Sequence, residues 1–167
     1  MSTQLNAPVS RENIEALSQG RGEPGWLTDI RKEAAALAGT LEWPRPEKMR
    51  IDRWKLTAFG VDRHPELAGD LSQLPEEIRA SLPQDAANLV VQRNSGAAYR
   101  NLAEEWKAKG VIFTDLETAV REHGDLVKKH LFSVVKADED KLTALHAALW
   151  NGGVFVYVPK NVEVEVP

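Results

Sequence analysis

The C-terminal segment changes from helical to strand periodicity, and this change most constrains the fold. Residues 154–158 read VFVYV, a continuously apolar run that is typical of a strand covered on both faces or lying at an interface. Residues 162–166 read VEVEV, and strict alternation predicts a strand with valines on one face and glutamates on the other. A globular fold rarely ends on its most strand-like sequence. We therefore expect the chain to be the front of a longer protein.

The N-terminal third predicts two helices. The chain has 167 residues, of which 43% are apolar, enough for one domain or one domain with an arm. Ser10 is a partial N-cap for a short helix through Leu17, and the glycines and proline of residues 20–25 interrupt the chain. Apolar residues at every third or fourth position predict a longer helix over 26–38, which Gly39 ends.

The middle of the chain predicts a small mixed unit. Three prolines in residues 40–65 predict an extended connector, with a short strand possible at Trp54–Phe59. A short helical turn is predicted at Pro75–Ser81, and residues 89–91 and 111–113 predict strands. Short apolar strands need helices to cover them. The stripe between these strands predicts such a helix through Tyr99, Leu102, Ala103 and Trp106.

Three further helices are predicted before the C-terminal strands. Thr114 and Glu117 have the spacing of a capping box, so Thr114 is expected to cap a helix that ends near Gly124. A second short helix holds Leu126, Val127 and Leu131. A third begins near Asp138 and ends at the glycines after residue 150. The fold class is therefore α+β, mainly helical with short strands.

Charge and cysteine usage exclude several classes of function. The formal net charge is −4, and residues 1–84 and 85–167 each carry two more acidic than basic residues, unlike a protein built on phosphate contacts. The absence of cysteine excludes disulfides and thiolate-held metal or iron–sulfur clusters in this segment. No secretory signal and no run of 18 apolar residues is present, so we expect a cytoplasmic protein.

Two motifs suggest ligand or catalytic chemistry but lack its context. Residues 20–25 match G-x-G-x-x-G, yet a dinucleotide site needs a strand before the motif, and a helix-like segment precedes it here. We interpret it as a loop between helices. Ser133 and Lys136 match S-x-x-K without the accompanying SDN or KTG motifs, so no nucleophile is assigned.

The four histidines do not form a ligand set by spacing. His123 and His130 are seven residues apart, about 10 Å along a helix, too far to share one metal ion directly. We interpret them as solvated or capping residues, and expect His64 to lie in a turn before Pro65. His146 is expected to be partly buried and hydrogen-bonded. The sequence thus predicts no catalytic, cofactor-binding or metal-binding residue.

The most basic local run combines positive charge with tryptophan. Such runs can bind single-stranded nucleic acid by stacking. This one is short, interrupted by prolines and offset by acids. Tryptophans that anchor the connector on the helical body explain it equally well. Its members are Arg45, Lys48, Arg50, Arg53 and Lys55, with Trp43 and Trp54.

Three stretches taken together resemble the SufB/SufD family, the scaffold subunits of the SUF iron–sulfur cluster assembly machinery. The first is EPGWLTDIR at residues 23–31, with RWKLT at 53–57. The second is GVIFTDLETA at 110–119. The third is KLTALHAAL at 141–149 with NGGVFVYVPKNV at 151–162. Within the family the third resembles the SufD-type subunit, because the corresponding corner of the SufB-type usually reads Pro-Gly.

The resemblance implies a fold, partners and a role. In this family a helical or mixed N-terminal domain leads into a right-handed parallel β-helix. A further C-terminal domain docks an ABC-type ATPase. The implied division is an arm with a short helix (1–22), the N-terminal domain (23–152) and the first β-helix strands (153–167). The implied partners are a SufB-type subunit and the SufC-type ABC ATPase, contacted through parts of the protein beyond this chain.

The family's cluster-related residues and ATPase contacts lie beyond residue 167, so none is carried over onto this sequence. We expect the isolated segment to bind no iron, zinc or nucleotide and no membrane. We also expect it to self-associate through the open edge of VEVEV, since unpaired strand edges template pairing. The alternatives are an independent small cytosolic adaptor without catalysis and an enzyme whose site combines scattered histidines and glutamates.

Overall fold

The computed structural model describes residues 9–54, 64–83 and 87–165, apart from the side chain of residue 52. The described residues form two compact units, one built from residues 9–54 and 120–150 and the other from 64–119 and 151–165. No helix in the described ranges is long and apolar enough to cross a membrane.

The first unit is helical. It contains α1 (Arg11–Gly20), α2 (Gly25–Thr40), α6 (Gly124–His130) and α7 (Lys141–Leu149), with a 3₁₀ turn at Ile51–Arg53. The helices α1 and α7 both pack against α2. Small residues at the contact let the helices approach closely. The central core cluster consists of Ile14, Ala34, Ala35, Ala147 and Ala148.

Local signals explain where these helices begin and end. The Ser10 side chain accepts a hydrogen bond from the Asn13 N–H, which confirms it as the N-cap of α1. The break before α2 is also confirmed, with Gly22 at φ +63°. The prediction that Gly39 ends α2 is wrong: the helix continues to Thr40, because a glycine with negative φ costs a helix little near its end.

The second unit contains two antiparallel strand pairs with short helices. Strand β1 (Leu89–Arg93) pairs with β2 (Gly96–Asn101), and β3 (Ile112–Asp115) pairs with β4 (Val154–Tyr157). The helices are α3 (Glu76–Arg79), α4 (Glu104–Ala108) and the start of α5 (Leu116–Glu122), and a 3₁₀ turn covers Leu71–Gln73. The strands predicted near residues 89–91 and 111–113 are confirmed, as is the helical turn within Pro75–Ser81.

The helix predicted through Tyr99 and Trp106 is wrong over its first half. Tyr99 lies in β2, and only residues 104–108 are helical. A two-residue turn at Asn94 and Ser95 folds β2 back on β1, with Asn94 at φ +55°. Asparagine tolerates this left-handed conformation, and such turns are typical of hairpins. The pairing of the strands therefore overrides the helical spacing.

Two predicted helix starts are shifted. Thr114 lies in β3, and the residue that caps α5 is Asp115, whose Oδ1 accepts a hydrogen bond from the Thr118 N–H at 2.8 Å. Helix α7 begins at Lys141 and not near Asp138. Its cap is a capping box in which the Asp140 and Thr143 side chains bond reciprocally to the backbone.

The α+β class with short strands is confirmed by these elements. The continuation of residues 153–167 into a β-helix stays a prediction, as do the boundaries 1–22, 23–152 and 153–167, because packing alone does not test which segments fold independently. The strand suggested at Trp54–Phe59 lies outside the described residues except for Trp54, which follows the 3₁₀ turn.

Candidate interaction surface

Strand β4 has an open edge and an exposed apolar face. Within the described residues it pairs only with β3, in the register Ile112 opposite Tyr157 and Asp115 opposite Val154. Val154 is 50% exposed and Val156 is 59% exposed. An unpaired strand edge beside exposed apolar side chains is a surface that other strands can pair with and cover. We call Val154–Tyr157 with Val158 the β4 edge.

The prediction that VEVEV supplies the open edge is wrong. Residues 162–165 form no strand, although the alternation is present in burial. Val162 and Val164 pack against the cluster of Leu102, Trp106 and Val111, while the intervening glutamates are exposed. These valines gain more from burial against Trp106 than from an exposed ladder. The open edge therefore lies one segment earlier, at the β4 edge.

A charged junction holds the start of α5 beside this sheet. The Arg100 guanidinium lies 2.6 Å from Asp115 Oδ2 and also donates to the Thr118 hydroxyl. Burial raises the pKa of Asp115, but hydrogen bonds from Thr118 and Arg100 and the charge of Arg100 outweigh burial and hold this pKa below its ordinary value. The carboxylate is thus held ionised as a cap and ion-pair partner.

The first unit contains a completely buried arginine. The Arg31 side chain has no solvent exposure and binds the Glu23 carboxylate through two hydrogen bonds of 2.7 Å. It also donates to the backbone carbonyls of Ala148 and Trp150, at the end of α7, and stacks 4.5 Å from the centroid of the Trp150 ring. A cation is favoured beside the carbonyls at a helix C-terminus.

The Glu23 carboxylate is satisfied from a second side. The Ser18 hydroxyl donates to Glu23 Oε2 at 2.9 Å and lies 2.6 Å from the Thr28 hydroxyl. The pair therefore ties the loop between α1 and α2 to the end of α7. A buried ion pair whose remaining donors and acceptors are occupied serves to position these elements. Both partners lie in the stretch EPGWLTDIR, in which Glu23 is the first residue and Arg31 the last.

The structure does not bring the four histidines together. His123 precedes α6 without a side-chain cap, and His130 ends this helix. His64 lies in an irregular segment with Nδ1 3.6 Å from Glu117 Oε2. The prediction that His146 is partly buried is wrong, since it is exposed on α7 with its ring edge-on to Phe132. Among the residues that the structure covers, no group of three or more His, Asp or Glu side chains could hold a metal ion.

The two catalytic-type motifs are structural. The glycine motif at residues 20–25 joins α1 to α2, so the interpretation as a loop between helices is confirmed. Ser133 and Lys136 lie in the irregular segment after α6. The Ser133 hydroxyl donates to the His130 carbonyl at 2.8 Å, and the Lys136 backbone N–H donates to Glu139.

The basic run is only partly anchored. Trp43 packs against the cluster of Ala38 and Leu145, as the sequence predicts, but Trp54 is more than half exposed. Lys55 lies outside the described residues. The arginine and lysine side chains at positions 45 and 48 extend into solvent beside acidic neighbours.

Sequence reasoning missed the partnership of Glu23 with Arg31 and the role of Asp115. A carboxylate directly after the β3 run, three residues before a threonine, is a signal for a cap at Asp115. Nothing in the local pattern identifies the buried pair, because an arginine among apolar helix positions ordinarily reaches solvent.

Comparisons with known proteins identify the family. A family model described as the SufBD protein N-terminal region matches residues 72–167, more than half of the chain. The chain belongs to the SufB/SufD family. The matched range begins near α3 and includes the β4 edge and α7.

Members of the SufB/SufD family from distant organisms are similar over nearly the whole chain. The chain is 46% identical to the iron–sulfur cluster assembly protein SufD of Bacillus subtilis over 95% of its own length and 37% of the relative. It is 35% identical to a SufBD family protein of Pyrococcus horikoshii, covering 95% of the chain and 38% of the relative. A relative from Staphylococcus epidermidis is 33% identical over 93% of the chain and 36% of its own length. The chain thus spans little more than a third of these relatives, and its SufD-like character is confirmed.

Proposed function

We propose that this chain is the N-terminal domain of a SufD-like scaffold subunit that takes part in iron–sulfur cluster assembly. The observation that carries the proposal is the 46% identity with the SufD of Bacillus subtilis over 95% of the chain. The cluster is the cargo of such an assembly, so the segment itself needs no catalytic residue and no resident cofactor. We propose accordingly that it is not an enzyme and acts in the cytoplasm.

The proposed partners are a SufB-type subunit and a SufC-type ABC ATPase, contacted mainly by parts of the protein beyond this chain. The similarity to iron–sulfur cluster assembly proteins of Bacillus subtilis and Pyrococcus horikoshii supports participation in such a complex. We also retain the division into an arm, a domain over 23–152 and entry strands over 153–167. Under this proposal the β4 edge receives the next strands of a β-helix.

The exposure of the β4 edge supports that last step. Stacked rungs of a solenoid bury each other's open faces, and a terminal strand without a neighbour exposes apolar side chains. Val154 and Val156 have this character. When no further strand covers the edge, we expect two copies of the chain to associate there.

Affinity purification of the native full-length protein tests the assignment. We expect a SufB-type subunit and an ABC-type ATPase to be retained, and deletion of the gene to lower the activity of iron–sulfur enzymes in extracts. Recovery of the intact protein without either subunit, together with unchanged iron–sulfur enzymes, would contradict the scaffold role and favour an independent adaptor.

A further inference from the structure

The loop after α2 encloses a groove on the surface of the helical unit. Residues 42–50 have no regular secondary structure before the 3₁₀ turn, and their side chains surround a cavity of about 400 Å³. We call it the Met49 groove. It is lined by Glu42, Trp43, Pro44, Arg45, Met49, Arg50 and Ile51.

The lining of the Met49 groove includes a packed tryptophan and an exposed methionine. Trp43 packs against the cluster of Ala38 and Leu145, and Ile51 is buried. Met49 is 47% exposed. Methionine is unbranched and polarizable, so it adapts to the shape of a bound apolar group. The lining therefore combines a packed aromatic side chain with an adaptable apolar side chain.

The residue that precedes Met49 in the loop has an uncommon backbone conformation. The Met49 N–H donates to the Pro46 carbonyl at 3.3 Å and closes a tight turn. Lys48 within this turn has φ +64°, in the left-handed region that residues other than glycine seldom adopt. Such local strain is concentrated at functional sites more often than elsewhere.

The rim of the Met49 groove is positive although the chain is negative overall. Among the charged lining residues, Arg45 and Arg50 outnumber Glu42, and residues 42–53 include four basic and three acidic residues, against a net charge of −4 for the chain. The side chains of Arg45 and Lys48 are each 87% exposed. Their acidic neighbours lie 3.7 and 3.9 Å away in exposed pairs, which hold charges only weakly. Lys141 adds another cation 5.6 Å from the Trp43 ring centroid.

We propose that the Met49 groove binds an acidic peptide segment of a partner protein, with one or two large apolar side chains of that peptide seated between Trp43 and Met49. The positive rim complements acidic residues that flank the apolar anchor. Trp, Met and Arg are the residue types enriched at the centres of protein interfaces. This binding is separate from the proposed assembly role, since the groove lies in the helical unit and uses none of the β4 edge.

A single-stranded nucleic acid fits the groove less well. Trp43 is the one aromatic residue among the described lining, so the groove offers no second ring on which a neighbouring base could stack.

The two methionines of the chain make the proposal testable at one side chain. In NMR spectra of the full chain with methyl-labelled methionine, only Met1 and Met49 give signals, and Met49→Leu assigns them. The probe is the synthetic peptide Glu-Asp-Glu-Leu-Phe-Glu-Asp-Glu at low salt. We expect a saturable shift of the Met49 signal with a Kd below about 1 mM, the range of weak specific recognition.

Paired variants separate the groove from general electrostatics. Arg45→Glu with Lys48→Glu should weaken peptide binding by about tenfold, whereas Arg93→Glu with Lys160→Glu, exposed in the other unit, should change it by less than about twofold. Replacing Leu-Phe in the peptide by Ser-Ser should also abolish saturation. Circular dichroism verifies that each variant is folded.

Three results would overturn the proposal. They are an unmoved Met49 signal at saturating peptide, equal weakening by the two charge-reversal pairs, and tighter binding of oligo-dT than of the peptide at the same signal. The last would assign the groove to nucleic acid. Each of these results leaves the purification of the assembly partners unaffected, so the two proposals fail separately.

Discussion

The two units of the molecule differ in where they place unfavourable side chains: one buries a charge, and the other exposes apolar groups to solvent. In the helical unit the charged side chain of Arg31 is fully buried. It binds the Glu23 carboxylate and two backbone carbonyls at the end of α7, and it stacks on the Trp150 ring. In the strand unit the apolar side chains of Val154 and Val156 lie in solvent. The helical unit supplies the partners of its buried charge, and the strand unit leaves an apolar strand edge exposed.

This difference separates the structural role of the Glu23–Arg31 pair from the assembly role proposed for the β4 edge. A buried charge is tolerated only when its partners are built in, so the Glu23–Arg31 pair requires the loop, α2 and α7 to be in place together. An exposed apolar strand costs the isolated chain little stability but favours association. We therefore expect substitutions at the buried Glu23–Arg31 pair to change folding, and substitutions at the β4 edge to change assembly.

The largest expected effect is at Arg31. Arg31→Met removes the partner of a nearly buried carboxylate and should lower the free energy of unfolding by about 3–5 kcal/mol. Urea denaturation followed by circular dichroism measures this change. The neighbouring Lys32→Met is the control, because the Lys32–Glu15 pair is partly exposed and its loss should cost less than about 1 kcal/mol.

The double variant Glu23→Leu with Arg31→Met sharpens the same test. Removing both charges leaves no unpaired ion, so it should be more stable than Arg31→Met alone. If Arg31→Met is as stable as Lys32→Met, the pair does not hold the helical unit together.

An intermediate effect is expected at Asp115 in the strand unit. Asp115→Asn keeps an oxygen that can cap α5 but removes the charge that pairs with Arg100, and should lower the free energy of unfolding by roughly 1–2 kcal/mol at neutral pH. Because the pKa of Asp115 is lowered in the folded state, its contribution is complete above the ordinary value of about 3.9 and is lost as the pH falls through the lower folded value.

The pH dependence distinguishes the carboxylate from a simple packing role. The stability difference between the original chain and Asp115→Asn should shrink as the pH is lowered below about 4, measured by urea denaturation at each pH. Asp70→Asn is the exposed comparison: the pKa of Asp70 is also lowered, chiefly by the side-chain hydrogen bond with Ser72, so its stability difference should shrink in the same direction but by less, because Asp70 caps only a surface turn. A pH-independent difference at Asp115 would show that its charge is not what stabilises α5.

The smallest effect on stability and the clearest effect on assembly are expected at Val156. Val156→Lys should change the free energy of unfolding by no more than about 0.5 kcal/mol, because the side chain is already exposed. It should nevertheless reduce self-association of the chain, measured by sedimentation velocity over a range of concentrations. Val135→Lys, in the loop after α6 with similar exposure, should leave association unchanged. A chain that stays monomeric before any substitution would refute the open-edge assignment.

Much of the local structure could be predicted, and the errors have a common origin. The caps at Ser10 and near residue 140 depend on neighbours within one turn, so they could be inferred within a few positions. The helix predicted through Tyr99 failed because the same apolar residues fit a strand once the Asn94 turn pairs β2 with β1. Pairing with β1 decides between the helical and the strand spacing, and the apolar pattern around Tyr99 contains no information about that partner.

The sequence predicts an open strand edge near the C-terminus, but places this edge one segment too late in the chain. The sequence indicates an open, strand-like C-terminal region, and the structure places the open edge at β4. Both VFVYV and VEVEV can form strands. Only the position of Trp106 and its neighbours decides that Val162 and Val164 turn inward while Val156 remains outside.

The amino-acid sequence by itself determined the α+β class, the helix around residues 26–38 and the strand character of the C-terminal segment, because these depend on spacings of a few residues. Its matching stretches, apart from any spacing, carry the resemblance to the SufB/SufD family. The tertiary structure alone decided that Arg31 is buried, that Asp115 caps α5 and that β4 is the exposed edge. The Arg31 side chain bonds to a carbonyl 117 residues away, at Ala148. Burial of a charge and pairing of a strand are settled by such distant partners, and local periodicity carries no information about them.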